Sequence, residues 1–80
     1  MGRADETLDG AFGEVLRARR GRAGLSQEAL AHMAGLHRNY VGQLERGQKS
    51  PSLGVIAALA RVLETKPHLL IQAAERRLDA

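Results

Sequence analysis

From position 8 onward, apolar side chains recur at helical rather than alternating spacing. Leu8, Phe12, Val15 and Leu16 follow an i, i+4, i+7, i+8 pattern, which gathers them on one stripe of an α-helix. This first helix continues through the basic stretch at 17–22 and meets a stop at Gly24. Gly10 and Gly13 lower the helix propensity of its first half, and Gly13 leaves room for close packing. Ser26 then stands as an N-cap, with Glu28 near the positive end of the next helix dipole. Leu30, Ala31 and Ala34 form the inner stripe of that second helix, of about ten residues, which Gly35 closes. Residues 36–47 form a third helix with two faces. Tyr40, Val41 and Leu44 fall on one side; Arg38, Asn39, Gly42, Gln43 and Arg46 fall on the other, with Glu45 on the border beside Val41.

After Gly47 comes a polar loop, and Ser52 caps a fourth helix over residues 53–63. That helix is apolar over most of its circumference, with only Gly54, Ala57 and Arg61 marking an outward arc. It is therefore expected to lie centrally, buried from several sides. Pro67 suits the first position of a fifth helix that reaches about residue 77, with Leu69, Leu70, Ala73 and Ala74 turned inward. The expectation is an all-α fold of five helices: one domain over residues 8–80 behind a flexible stretch at 1–7. Two apolar stripes exceed what so small a core can use. Val55, Ala58 and Val62 make one, and Ile71, Ala74 and Leu78 the other. Such surplus stripes read as the interface of a two-fold homodimer.

Composition narrows the function more by exclusion than by assertion. There is no cysteine among the 80 residues, so disulfides and thiolate metal sites are ruled out. No stretch approaches the roughly 20 apolar residues of a membrane span. Residues 1–13 hold no long apolar run of the signal-peptide kind, and Glu6 stands where a myristoylation motif needs Ser or Thr. The chain is expected to be soluble and cytoplasmic. The net charge of +3 is mild but unevenly placed. Between Arg17 and Lys49 lie seven arginines and lysines against Glu28 and Glu45 alone, so that segment is +5 and the remainder −2. A basic stripe of this kind suits a polyanion. With only Phe12 and Tyr40 as aromatics, binding of single strands through stacked bases is disfavoured.

The polar face of the third helix carries the chemistry. Arg38 can bond bidentately to guanine, and Asn39 or Gln43 to adenine, in a DNA major groove. The second and third helices are joined by a tight turn at Gly35 and Leu36, which is the spacing of a helix-turn-helix. Gln27 at the second helix's N-terminus suits a phosphate. Glu45, on the border of a buried face, needs a partner, and Arg20 at the end of the basic helix can supply it. His32 and His37 are five apart with no cysteine or clustered carboxylates, and no His-Glu-x-x-His pattern occurs. Ser26 and Ser52 read as caps rather than nucleophiles. The chain is thus expected not to be an enzyme, with no metal, cofactor or small-molecule ligand.

Arg20, the string Gly24-Leu25-Ser26-Gln27-Glu28-Ala29-Leu30-Ala31, Gly35, Tyr40-Val41, Leu44-Glu45-Arg46-Gly47, Pro51-Ser52-Leu53 and Leu59-Ala60 resemble the Cro/cI-type (XRE) helix-turn-helix family. The resemblance covers about residues 8–71. Within it, the 35–41 segment and the short chain resemble controller proteins of restriction–modification systems, a narrower likeness that many small regulators share. The family implies a five-helix, lambda-repressor-like domain that binds pseudo-palindromic operator DNA as a homodimer and regulates transcription. It further implies base reading by Arg38, Asn39 and Gln43, with His37 at the start of the recognition helix, at about residues 37–46. Phosphate contacts fall to Gln27, Arg46, Tyr40 and Lys49, and Arg20 with Glu45 form a structural ion pair. Two residues depart from the pattern: Arg19 occupies a usually apolar position, and Gly42 interrupts the recognition helix. A competing reading keeps the fold but uses it as a protein-interaction module, as in some antitoxins or co-regulators, with the apolar stripes as its working surface.

Overall fold

Hydroxyl caps decide where three of the five helices begin. In the computed structural model, which describes residues 7–79, α1 spans Leu8–Arg22, α2 Gln27–Ala34, α3 Arg38–Glu45, α4 Leu53–Val62 and α5 Pro67–Asp79. The expected flexible stretch at 1–7 lies outside the described residues except for Thr7. Thr7, Ser26 and Ser52 each accept a hydrogen bond from the backbone N–H three residues on, at 2.9, 3.0 and 3.1 Å. Each such cap stabilises its helix by about 1 kcal/mol relative to alanine. At the other ends, Gly35 and Gly47 take positive φ (72° and 71°) and turn the chain out of α2 and α3. Glu64, just beyond α4, also has positive φ (57°) without being a glycine, a conformation that costs about 1–2 kcal/mol in an L-residue.

Packing closes the helices into a ring: α1 rests on α5 and α3, α2 on α3 and α4, and α4 on α5. At the centre, each helix contributes one leucine with no exposed surface: Leu16, Leu30, Leu44, Leu59 and Leu70. Burial of such a side chain is worth about 1.5–3 kcal/mol, and Phe12, Val15 and Val41 extend the same cluster. Among the described residues there is no strand, and no helix is long and apolar enough to cross a membrane.

The ring corrects several sequence expectations. Helix α4 is not central. Gly54, Ala57 and Arg61 do face outward, but only Ile56, Leu59 and Ala60 are buried, and Leu53 is 85% exposed. Each member of a five-helix ring has one inward face, so a helix richer in apolar residues than that face requires leaves the excess outside. In α5, Leu70 and Ala74 are inward whereas Leu69 is exposed, and the helix runs on to Asp79. Helix α2 is eight residues rather than about ten. Ala74, expected at a dimer interface, has no exposed surface within one chain and cannot meet a partner. Its methyl group is part of the α5 face packed into the core. Val55, Ala58, Val62 and Ile71 are half-buried and Leu78 is exposed, so these five remain on the surface.

Candidate nucleic-acid interface

The attachment of α3 to the rest of the molecule begins with its inner face. Val41 and Leu44 have no exposed surface, and Tyr40 packs half-buried against the same core. On α1, Gly13 lies directly beneath the end of α3. A Cβ placed there would come within 2.3 Å of the Leu44 carbonyl oxygen and 2.7 Å of that of Glu45. No side chain fits between those backbones, so the absence of one sets how closely α1 and α3 approach.

A second tie is ionic. Arg20 Nε donates to Glu45 Oε2 at 2.6 Å and its Nη2 to Oε1 at 3.1 Å, a bidentate pairing of fork against carboxylate. The remaining Nη1 donates to the Leu25 carbonyl oxygen at 2.9 Å, linking α1 to the start of α2. The hydrogen bond to Glu45 raises the Arg20 pKa above its ordinary value, against a smaller lowering from partial burial. Glu45's side chain is only 3% exposed, so its charge depends on these donors. A third donor reaches it: Gln27 Nε2 bonds to Glu45 Oε1 at 3.0 Å. Among the described residues, no buried side-chain nitrogen or oxygen lacks a partner. The carboxylate therefore holds three helices in register. A sequence reading that assigned Gln27 to phosphate alone missed this bond. The available clue was a buried carboxylate needing more donors than one arginine fork supplies.

On the opposite side of α3, Gln27, Arg38, Asn39, Gly42, Gln43 and Arg46 line one open cleft of about 380 Å³. Five sequence-predicted contact residues thus converge on one surface formed by α2 and α3. His37, Tyr40 and Lys49 do not line it. His37 is the exposed N-cap of α3 and makes no side-chain cap bond, Tyr40 is turned toward the core, and Lys49 sits exposed in the α3–α4 loop. That loop is tied down where the Ser50 hydroxyl donates to the Asp9 carboxylate of α1. The cleft's polar lining offers guanidinium and carboxamide donors and no carboxylate, a composition suited to an anionic duplex and its base edges.

Other concavities differ in chemistry. One, of about 520 Å³, is lined by Arg19, Arg22, Ala23, Leu25, Met33, Val62, Leu63 and Glu64. Arg19 is thereby a half-buried wall rather than a core residue. A shallow one of about 120 Å³ lies between Leu8, Phe12, Pro51, Ile56 and Ile71, with Asp9 at its edge. Among the described residues, no cluster of His, Asp or Glu is arranged to hold a metal.

Two short helices joined by a glycine turn, the second locked inward by Val41 and Leu44 and polar outward, define a helix-turn-helix protein. The family model described as a helix-turn-helix domain matches residues 11–73, and the chain belongs to that family. It is similar to the control protein C.SmaI of Serratia marcescens, 43% identical over 58 residues that cover 71% of this chain and 69% of that protein. Among solved structures, the restriction–modification controller protein C.AhdI from Aeromonas hydrophila matches with a TM-score of 0.74. Identity is 49%, covering 76% of this chain and 92% of that one. The clp gene regulator ClgR from C. glutamicum matches over 90% of this chain and 92% of its own, at 26% identity and a TM-score of 0.85. The chain is an XRE-type, DNA-binding transcriptional regulator similar to restriction–modification controllers.

Proposed function

We propose that the protein binds a pseudo-palindromic operator as a homodimer, each copy laying α3 in a major groove. The observation that carries this reading is the cleft shared by Gln27, Arg38, Asn39, Gln43 and Arg46, on a helix whose other face is fixed to the core by Val41 and Leu44. Arg38, Asn39 and Gln43 discriminate bases, with His37 at the leading edge of the helix. Gln27 retains its second amide hydrogen for a phosphate, since only one donor bond of Nε2 goes to Glu45. Arg46 supplies charge to the backbone, with Lys49 and the Tyr40 hydroxyl as further backbone contacts outside the cleft, and these contacts set register and salt-sensitive affinity. Dimerisation uses the half-buried Val55, Ala58, Val62 and Ile71 with Leu78. The protein acts in the cytoplasm and is not an enzyme.

Likeness to two proteins named as controllers supports a narrower role, the control of restriction–modification genes. Selection from random duplexes tests the reading. It should enrich a two-fold sequence, and that sequence should lie upstream of neighbouring endonuclease, methyltransferase or controller genes. Absence of any enriched duplex at low salt would contradict DNA reading. An enriched sequence remote from such genes would contradict only the narrower role.

A further inference from the structure

Gly42 sits on the outward face of α3, yet it is buried. Glycine in a helix interior is less favourable than any residue except proline. Backbone geometry does not demand it: Gly24, Gly35 and Gly47 have positive φ and Gly42 does not. What surrounds it supplies the reason. A Cβ at this position would lie 3.2 Å from Arg46 Nη1, 3.8 Å from Arg46 Cζ and 3.7 Å from Gln27 Oε1. Arg46 is four residues further on, and helical side chains lean back toward the N-terminus over the preceding turn. Its guanidinium therefore lies across Gly42, close to the Gln27 carboxamide. Gln27 is itself held in place by its bond to Glu45.

The contrast with Gly13 is direct. A side chain at Gly13 would strike the backbone of α3, so that glycine serves packing. The nearest atoms to a Cβ at Gly42 belong to the polar ends of two side chains that line the cleft. We infer that Gly42 is a positioning residue for the DNA backbone: without a side chain, it lets Arg46 lie along α3 beside the Gln27 amide oxygen, so that the guanidinium is held facing one phosphodiester. This rests on the DNA-binding reading above. The Gln27 atom nearest to Gly42 is Oε1, an acceptor on the guanidinium's side, and a guanidinium held in one orientation makes a stronger phosphate contact than a freely moving arginine.

The test compares the wild type with Gly42→Ala, Gly42→Met, Arg46→Ala and the Gly42→Ala/Arg46→Ala double variant. Binding to a selected operator and to random-sequence duplex is measured across salt concentrations, alongside thermal melting. Gly42→Ala should keep or raise the melting temperature, because alanine favours the helix. Its affinity should fall several-fold on both duplexes alike, and further in Gly42→Met. The slope of log K against log salt should shrink by up to about one, the loss of one phosphate contact. In the Arg46→Ala background, Gly42→Ala should weaken binding no further. Wild-type affinity and slope in Gly42→Ala, or an undiminished loss in the Arg46→Ala background, would overturn the inference. Weakening that tracks a lowered melting temperature would overturn it too. Those results leave the DNA reading standing. A wild type that binds neither duplex at low salt would remove that reading and this inference together.

Discussion

Helices α3 and α4 reverse the usual relation between composition and commitment to the core. Helix α3 is polar along most of its length, yet it is fixed from several directions. Leu44 and Val41 pack beneath it, Gly13 brings α1 up against its end, and Glu45 binds Arg20 and Gln27 at once. Helix α4 is apolar almost throughout, yet it is held along one face, with Leu53 and Ala57 left in solvent and Val55, Ala58 and Val62 half-covered. Each helix packs on two others and buries the face turned toward them, however apolar the rest of it is. The difference fits the two tasks proposed for them. A surface that reads a rigid duplex must be held in place by the rest of its own chain. A surface that meets a second copy can keep apolar area in reserve for that copy.

The strongest way to break this comparison is to remove one side of the ionic tie. Arg20→Ala leaves Glu45 buried with only Gln27 as donor and should cost about 3–5 kcal/mol of stability. Arg20→Met combined with Glu45→Gln should cost less than that single change, and equal additive losses in urea unfolding would show the pair to be an ordinary surface contact. Next is a matched pair of leucines. Leu44→Ala on α3 should lose about 2–5 kcal/mol, whereas Leu53→Ala on α4 should stay within about 0.5 kcal/mol. Similar losses would erase the asymmetry. Gly13→Ala forces two backbones apart and should destabilise by about 1–3 kcal/mol, read from the shift of the denaturation midpoint. Ile71→Asp should leave the fold intact while sedimentation shows monomer in place of dimer; an unchanged assembly would place the interface elsewhere. The smallest effect is expected at Glu64→Gly, where relief of left-handed strain nearly balances added chain entropy, for a gain of about 1 kcal/mol or less.

Much of the fold was legible because helical periodicity and end signals are local. The stripe of Leu8, Phe12, Val15 and Leu16, the caps at Ser26 and Ser52, and the turn glycines Gly35 and Gly47 need no knowledge of distant residues. The reading helix could likewise be divided into an apolar and a polar face from spacing alone. The failures share one cause. How many sides of α4 are covered, whether Ala74 faces a partner or the core, and why Gly42 and Gln27 stand where they do all depend on which helices come together. Periodicity identifies the face a helix can bury, whereas the ring determines how much of that face is covered. The third donor to Glu45 belongs to the same class, since Gln27 and Glu45 lie 18 residues apart.

In the proposed function, the outward face of α3 divides into residues that choose a sequence and residues that hold the duplex. The direct measurement is the affinity of wild type, Arg38→Ala and Arg46→Ala for a selected operator and for every single-base variant of one half-site, at fixed salt. Arg38→Ala should lose about 1–3 kcal/mol on the operator and relax discrimination at one base position. Arg46→Ala should weaken all duplexes alike and leave the pattern of preferences unchanged. A uniform loss for Arg38→Ala, or a position-specific one for Arg46→Ala, would contradict the division.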